Sequence, residues 1–535
     1  MTNQRIELNE QFVKALNLMN NTGKNVFITG KAGTGKSTLL AYFRANTKKK
    51  VVVLAPTGVA AVNVQGETIH SFFGFKPDVT LEKIRKLSTK KAKIYRKLDA
   101  IIIDEISMVR ADLLDCVDRF LRLNGKHPGH PFGGIQMIFI GDLYQLPPVV
   151  TGKEKDVFKF QYQNAYFFAS NVFNEFSMEF VELDKIYRQK DEVFINLLNS
   201  IRNNTITEKG LEMLNARVGA HLSKGGNSGR TVHLTTLNKL ADEENKKRLS
   251  ELKTEIHTYR AQILGNFDRK SYPTEEELRV GTGAQVMLLN NDSRGRWVNG
   301  TIGEIANIKH TEKKDADIIS VKLSDGSIVD ITPYTWEIFH FTFNENTNGI
   351  ETETVGSFTQ YPLRLAWAIT IHKSQGKTFS RVIIDLSRGA FAHGQVYVAL
   401  SRCTSLEGIT LTKPVKKSHI FTDWRIVKFL TRYQYSLSER DIPFDEKLNI
   451  IKQAIKRNLL LEILYLKASD EKTRRIIKPR NVGKKTYMDR PFIGIEAYCM
   501  KRKEDRIFRV DRILKMKLIE NTKILNKNRA FSKNS

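Results

Sequence analysis

A glycine-rich segment near the amino terminus constrains the fold of this chain more than any other feature. Residues 30–37, GKAGTGKS, fit the pattern G-x-x-x-x-G-K-[ST], follow the apolar run Val26–Ile28 and precede the helical pattern Thr38–Phe43. Glycines let backbone amides surround an anion, and the amino terminus of the following helix adds positive potential. The segment therefore predicts a strand, a phosphate-binding loop and a helix in succession.

The residue types in this loop define its expected chemistry. Lys36 is expected to contact the β- and γ-phosphates of ATP, and Ser37 is expected to offer its hydroxyl to Mg²⁺. The residues expected to bind ATP here are Gly30, Ala32, Gly33, Thr34, Gly35, Lys36, Ser37 and Thr38.

Two further strand ends carry the polar groups that such a loop requires. Asp104 and Glu105 follow the apolar run Ile101–Ile103. We expect Asp104 to hold Mg²⁺, directly or through water, and Glu105 to position and deprotonate the attacking water. Residues 141–148, GDLYQLPP, follow another apolar strand. There, Gln145 can hydrogen-bond the γ-phosphate or the attacking water without carrying charge.

Charge and composition indicate the partner. The formal net charge is +28, from 86 Lys and Arg against 58 Asp and Glu, which favours a polyanion such as nucleic acid or an acidic membrane surface. The sequence contains no run of 18 apolar residues, so no membrane span is predicted. The first residues do not resemble a signal peptide. Cys116, Cys403 and Cys499 are far apart, which predicts neither a disulfide framework nor a zinc site. We expect a cytoplasmic protein.

Short apolar runs alternate with helical patterns along most of the chain, which indicates an α/β fold with parallel sheets covered on both faces. Residues 284–360 instead show short alternating stretches with turn signals at Asn299-Gly300 and Asp325-Gly326, which predicts an inserted β module. Residues 445–535 hold 25 Lys and Arg against 11 Asp and Glu, which marks a separate basic region.

Several segments resemble, in order, the motifs of the PIF family of 5′-to-3′ superfamily-one helicases, which are related to RecD-like enzymes. These segments are Ala55–Ala61 with Thr68–Phe73, Asp104–Met108, Pro131–Gln136, Gly141–Pro148, Leu183–Gln189, Leu365–Gly376 and Tyr397–Arg402. The resemblance covers residues 25 to about 411 and implies two RecA-like P-loop domains with an SH3-like β insertion.

The resemblance also implies domain limits. The first RecA-like domain is expected at 1–187, with a small wedge at 78–97, and the second at 188–283 and 361–440, interrupted by the SH3-like insertion at 284–360. Residues 446–517 resemble a small β-rich WYL domain, although Ile493-Gly494-Ile495 stand at the positions that name it. Residues 518–535 are expected to form a disordered basic tail.

The family pattern assigns further roles in the ATP site. Arg188 and Arg402 are implied to reach the γ-phosphate across the cleft between the two domains, where an arginine stabilises charge that develops during transfer. Gly376 is implied to approach the nucleotide. Gln11 is the candidate for recognising adenine.

For DNA, the implied contacts are Thr57, His70 and Phe72 in the first domain and His372 and Lys373 in the second. Hydroxyl and basic groups bind phosphates, and aromatic rings stack on bases. In the insertion, Arg294, Arg296 and Trp297 are expected to face DNA.

The implied function is an ATP-dependent DNA helicase that moves 5′-to-3′ on single-stranded DNA and unwinds duplex or folded DNA in replication, repair or telomere and genome maintenance. Single-stranded and forked DNA are the implied partners, G-quadruplex DNA and RNA–DNA hybrid are left open, and a monomer is expected. Two alternatives stay open: a translocase or remodeler without processive unwinding, and a regulatory DNA-binding protein with a nucleotide switch. Glu105 and Gln145 favour turnover, because a switch needs no base.

Overall fold

The computed structural model describes residues 8–76, 78–150, 158, 161–220, 231–310, 317–347, 349–386, 392–487 and 489–519. The chain divides into two units, residues 1–202 with 206–421, and residues 203–205 with 422–535. Within the described ranges, no helix has both the length and the apolar character needed to cross a membrane.

The first unit begins with a parallel sheet covered by helices. Its strands are β1 (Asn25–Gly30), β2 (Val51–Ala55), β3 (Glu67–Thr68), β4 (Ala100–Ile103), β5 (Gln136–Ile140) and β6 (Met178–Leu183). Its helices are α1 (Glu10–Asn21), α2 (Lys36–Asn46), α3 (Gly58–Asn63), α4 (Ile69–Phe73), α5 (Lys93–Lys97) and α6 (Ala111–Asn124). The strand order is β3-β2-β4-β5-β1-β6, and every pairing is parallel. The carboxyl ends of the strands therefore meet at one edge, where ligands bind in such sheets.

A second parallel sheet follows, interrupted by a long insertion. The elements before the insertion are α7 (Glu192–Arg202), α8 (Glu208–Asn215), β7 (Val232–Thr235) and α9 (Asn238–Ser250). The insertion contains β8 (Ile256–Arg260), β9 (Gln262–Gly265), β10 (Glu277–Gly281), β11 (Gln285–Leu288), β12 (Ile302–Lys309), β13 (Ile318–Leu323), β14 (Ile328–Ile331), β15 (Tyr334–Asn344), β16 (Gly349–Gln360) and β17 (Leu363–Leu365). The sheet is completed by β18 (Ala368–Thr370), β19 (Val382–Ile384), β20 (Ile409–Leu411) and the helix α10 (Gln395–Leu400). Its order is β18-β7-β19-β20, and one apolar core joins it to α7.

The inserted β region is longer than the sequence pattern indicated. Strands β8 to β10, which precede residue 284, and β17, which follows residue 360, pair antiparallel within the insertion rather than with the second parallel sheet. Buried and exposed residues do not alternate along β8 and β9, because the residues of both strands are all half-buried or exposed. The sequence of these strands therefore carries no clear strand pattern. The expected limits of 284 and 360 therefore differ from the observed strands.

Segment 78–97, where a small wedge was expected, contains little helix. Within the described part of it, only Leu81–Lys83 and α5 are helical. The backbone between them is held by Asn124, whose side chain accepts from Leu87 N at 2.7 Å and donates to Arg85 O at 3.2 Å. These tertiary hydrogen bonds replace the local ones that a continuous helix would make.

The second unit pairs two helices with an antiparallel sheet. It contains α11 (Trp424–Asp441), α12 (Phe444–Lys456), β21 (Leu460–Leu466), β22 (Lys472–Tyr487), β23 (Arg490–Cys499), β24 (Glu504–Arg509) and β25 (Ile513–Ile519), with strand order β24-β23-β22-β21-β25. Helix α11 groups with this sheet, although it was expected to end the preceding domain at residue 440. The expected tail lies outside the described residues from 520 onward.

Candidate nucleotide and nucleic-acid sites

A cavity of about 760 Å³ lies at the carboxyl edge of the first sheet and is closed by residues of the second. Its lining residues are Phe12, Ala32, Gly33, Thr34, Gly35, Lys36, Ser37, Thr38, Glu105, Gln145, Tyr187, Arg188, Gly376, Thr378 and Arg402. Most of the residues predicted to bind ATP therefore share one cavity.

The glycine-rich loop has the conformation that its sequence predicts. Gly33 and Gly35 have φ values of 79° and 86°, a region that favours glycine. The Lys36 ammonium donates to Gly30 O at 2.7 Å and Lys31 O at 3.1 Å. Burial lowers the pKa of Lys36, although the carboxylates of Asp142, Glu105 and Asp104 act in the opposite direction.

The acidic pair lies directly after β4. Glu105 has a φ of 50°, a strained value for a residue with a side chain, and such strain concentrates at functional sites. Burial raises the pKa of Glu105 to about 7, and the neighbouring Asp104 carboxylate adds to the shift. Burial also raises the pKa of Asp104. Glu105 lines the cavity, and Asp104 is not among its lining residues.

The two predicted arginines both line the cavity. Arg188 donates to Ser401 O at 3.0 Å and Gly376 O at 3.4 Å. Arg402 is 1% exposed and donates to Val398 O at 2.9 Å. Burial, followed by repulsion from Arg188, lowers the pKa of Arg402 to about 9. Two cations are thus held side by side where a triphosphate would need counter-charges.

The cavity also includes residues that the motifs did not reveal. Phe12 and Tyr187 both lie within 4 Å of the position that a Cβ at Gly35 would take. Neither was predicted from the sequence to line a nucleotide site. Gln11 does not line the cavity, and its amide lies 3.5 Å from Asp184 Oδ2.

The residues predicted to hold Mg²⁺ fit a hard cation chemically. Ser37 is the second residue of α2 and lines the cavity, while Asp104 carries a half-buried carboxylate that interacts electrostatically with Lys36. Hydroxyl and carboxylate oxygens are the ligands that Mg²⁺ prefers.

The predicted DNA contacts are divided between exposed and buried positions. Thr57 is exposed and caps α3, accepting from Ala60 N at 3.3 Å. His70 is half-buried in α4, and burial lowers its pKa. His372 and Lys373 are exposed after β18.

Phe72 does not have the exposure expected of a base-stacking residue. It is 6% exposed and packs edge-to-face against Phe73, Tyr95 and Phe341. The contact with Phe341 comes from the distant hairpin β15–β16, which no local pattern indicates. Base stacking by Phe72 is therefore wrong for this conformation, and the ring belongs to an aromatic cluster.

The turn of the insertion was expected to face DNA, and its side chains are instead engaged with each other. Arg296 forms an ion pair with Asp292 at 2.8 Å and lies over the Trp297 ring. Trp297 is 8% exposed, and its indole nitrogen donates to Asn290 Oδ1 at 3.1 Å. Asp292 and Asn290 therefore account for this geometry without DNA.

A second, polar cavity of about 710 Å³ lies beside Lys373. It is lined by residues of α9, the loop before β10, β17 and β18, with Arg269, Arg364 and Lys373 as cations and Asp242, Glu275, Glu276 and Glu277 as acids. Lys373 therefore borders a cavity of mixed charge.

A phosphate-binding loop, a strained glutamate and two arginines, one after β6 and one after α10 in the second domain, define a P-loop ATPase built from two RecA-like domains. Arginines supplied across a domain boundary couple hydrolysis to relative domain movement. The class is therefore that of a nucleotide-driven motor.

Comparison with known proteins identifies the family. Residues 3–211 match the family model of the PIF1-like helicase, and residues 446–518 match that of the WYL domain. The ATP-dependent DNA helicase Pif1 of Bdellovibrio bacteriovorus is 33% identical over 441 residues, which cover 80% of this chain and 93% of that protein. The chain belongs to the PIF1-like helicase family and is an ATP-dependent DNA helicase.

Solved structures agree with this assignment and with the predicted fold class. Bacteroides sp Pif1 in complex with ADP-AlF4 has a TM-score of 0.73 at 38% identity, covering 80% of this chain and 97% of that one. Bacteroides Pif1 bound to ssDNA has a TM-score of 0.57 at 38% identity, covering 81% and 97%. The prediction of two RecA-like domains and a β-rich WYL-like domain is confirmed.

Gly33→Ala tests the geometry of the loop. A Cβ at this position would lie 2.5 Å from Arg188 Cβ, and the φ of 79° disfavours any side chain. We expect kcat for ATP hydrolysis to fall about tenfold or more, because displacements of about 1 Å disturb reacting geometry strongly.

Gly23→Ala is the matched control, since nothing lies within 4 Å of a Cβ placed there, and it should retain the wild-type rate. Unchanged kcat in Gly33→Ala would contradict the close packing of the loop against Arg188.

Proposed function

We propose that this chain hydrolyses ATP in the cavity between its RecA-like domains and uses the cycle to move 5′-to-3′ along single-stranded DNA, opening forked duplex ahead of it. The convergence of Lys36, Glu105, Gln145, Arg188 and Arg402 on one cavity carries the proposal. The same enzyme serves replication, repair or telomere and genome maintenance, with G-quadruplex DNA and RNA–DNA hybrid as further substrates, and acts as a monomer.

In this proposal the loop residues bind the phosphates, and Lys36 neutralises the β- and γ-phosphates. Glu105 takes the proton of the attacking water, since a base is most effective when its pKa lies near the working pH. Gln145 orients that water or the γ-phosphate. Arg188 and Arg402 stabilise the charge that develops on the transferred group. When bound, Mg²⁺ held by Ser37 and Asp104 supplies charge neutralisation to the phosphates.

The aromatic pair beside the loop completes the nucleotide site. Phe12 and Tyr187 line the cavity next to Gly35, and a purine base stacks favourably on aromatic rings. Gln11 keeps its proposed role in adenine recognition only if its side chain leaves Asp184.

Glu105→Gln tests the chemical step. The amide cannot accept a proton, so kcat should fall by about 100-fold or more, while affinities for ATP and for single-stranded DNA should stay within a few-fold of the wild-type values. Steady-state hydrolysis, nucleotide binding and DNA binding are measured on the same preparation. Near-normal turnover would show that Glu105 is not the base.

DNA is proposed to cross the exposed surface that carries Thr57 on the first domain and His372 and Lys373 on the second. His70 is the fourth contact. Related structures carry ssDNA and forked dsDNA, as Bacteroides Pif1 bound to ssDNA and two coordinating Pif1 helicases at forked dsDNA illustrate. Hydroxyl and ammonium groups at these positions suit a sequence-independent phosphate contact.

Direction of movement is tested by strand displacement on two duplexes that differ only in the end carrying the single-stranded tail. We expect unwinding of the 5′-tailed duplex and little of the 3′-tailed one. Lys36→Ala should unwind neither while still binding DNA. Equal or preferential unwinding from a 3′ tail would contradict the proposed polarity, and hydrolysis without any displacement would favour a translocase or remodeler.

The WYL domain is proposed to add a second DNA contact. Its long hairpin β22–β23 exposes Lys478, Lys484 and Arg490, and its core is closed by apolar residues such as Ile477 and Ile495. The exposed cations are therefore free of any packing role in that core, and phosphate binding is the function that a surface of this charge suits.

A triple variant of the full chain tests this contact. It replaces Lys478, Lys484 and Arg490 by Gln. We expect weaker binding to a tailed duplex and a slope of log K against log salt that is shallower by up to about two units, since each phosphate contact contributes about 0.7 on single strands.

A control variant removes the same charge from the other unit, at the exposed residues Lys14, Lys126 and Lys209. A general effect of net charge would alter both variants equally. An unchanged slope in the WYL variant would contradict DNA binding by this domain and leave protein docking as its role.

A further inference from the structure

The loop that follows β5 holds the cavity glutamine through a single carboxylate. Asp142 Oδ2 accepts a hydrogen bond from the Gln145 side-chain amide at 3.3 Å, and Asp142 Oδ1 accepts from Tyr144 N at 3.1 Å. Gln145 N also donates to Asp142 O at 3.0 Å. The orientation of the Gln145 amide therefore depends on the position of Asp142.

The same carboxylate is held from the second RecA-like domain. Arg202, the last residue of α7, lies with its Nη2 3.3 Å from Asp142 Oδ1, and the two side chains are 4% and 0% exposed. The guanidinium carbon is 3.8 Å from the centroid of the Tyr144 ring. Helix α7 packs in the core of the second parallel sheet through Phe194, which is fully buried. An ion pair without solvent thus joins the two domains.

The groups around Arg202 stabilise its charged form. Burial is the largest influence and acts to lower the pKa of Arg202, but Asp142, followed by Tyr144, Tyr397 and Glu182, acts in the opposite direction, and the pKa is raised above its ordinary value. The ion pair between Arg202 and Asp142 is buried on both sides, so a movement of the end of α7 acts directly on the Asp142 carboxylate.

A second contact from the same domain fixes the backbone of this loop. A Cβ at Gly394 would lie 2.3 Å from Tyr144 O and 2.6 Å from Gln145 O, so the chain that leads into α10 is pressed directly on the loop. Helix α10 is followed by Arg402. The backbone and the side chain of Gln145 are consequently both set by elements of the second domain.

We propose that Arg202 is a positioning residue for ATP hydrolysis, which acts through Asp142 on the Gln145 amide and transmits movement of the second domain to the γ-phosphate end of the cavity. The inference rests on the proposed role of Gln145 and adds to it the residue that couples that role to domain movement.

Arg202→Met, which keeps the length of the side chain and removes its charge, tests the proposal. We expect DNA-stimulated kcat to fall roughly 10- to 100-fold, because small displacements of a reacting group have effects of this size, with the KM for ATP changed less than about threefold. The stimulation by single-stranded DNA, taken as the ratio of stimulated to basal rate, should fall as well. Arg202→Lys, which retains a charge without the planar fork, should recover part of kcat.

A double-mutant cycle distinguishes positioning from a purely structural role. If Arg202 acts through Gln145, the double variant Arg202→Met with Gln145→Ala should be no slower than the slower single variant. Arg122→Met is the matched control: Arg122 forms an ion pair with Asp118 at 2.6 Å within α6, away from the cavity, and its loss should combine additively with Gln145→Ala and leave kcat unchanged.

Three results would overturn the proposal: wild-type kcat in Arg202→Met, additive losses in the cycle, or a loss of kcat that follows only a lowered thermal midpoint and disappears on cooling. If Arg202→Met does not fold, Arg202→Lys and its cycle with Gln145→Ala are measured in the same way and decide the question. An active Glu105→Gln variant would instead show that the proposed chemistry fails. An inactive Glu105→Gln with normal Arg202→Met would reject only the role of Arg202.

Discussion

The concentration of cations around the interdomain cavity is the constraint on which the rest of this structure depends. Lys36, the first residue of α2, lines this cavity together with Arg188 and Arg402. Burial lowers the pKa of each, and Arg188 further lowers that of Arg402. A polyphosphate between them removes both the repulsion and part of the desolvation cost, so nucleotide binding favours closure of the domains and hydrolysis weakens that preference.

The sequence was sufficient to predict the parts of the site that local geometry determines. A glycine-rich turn between a strand and a helix, and acidic or amide residues directly after strands, have structures that follow from neighbouring residues, and Lys36, Glu105 and Gln145 were found in this way. Arg188, Arg402 and Gly376 followed from the resemblance to a family. Phe12 and Arg202 were missed, because each meets the cavity through a contact that is distant in sequence and carries no local pattern.

The same distinction explains why the prediction that Phe72 stacks on DNA bases was wrong. Phe72 stands in a segment typical of DNA binding, but its ring is covered by Phe341 from the hairpin β15–β16. That hairpin is further held by Glu67, whose buried carboxylate accepts from Phe341 N at 3.3 Å and meets His340 Nδ1 at 2.7 Å. An insertion some 270 residues away in sequence thus decides the exposure of Phe72, and no periodicity within α4 encodes it. The longer extent of the insertion has the same origin, since β17 is recognised only by its pairing with β11.

The short segment between β18 and α10 shows how the two cavities are connected. Thr370 and Lys373 line the polar cavity, whereas Gly376 and Thr378, a few residues further along, line the nucleotide cavity. Arg402 Nη1 lies 3.5 Å from Ser374 O, and the Ser374 hydroxyl donates to Ile371 O at 2.7 Å, which makes the turn between the cavities rigid. Because close-packed interiors transmit strain, these contacts give a direct route from Arg402 to the turn that carries Lys373. If Lys373 binds a DNA phosphate, the contact between Arg402 and Ser374 connects the affinity for DNA to the state of the bound nucleotide.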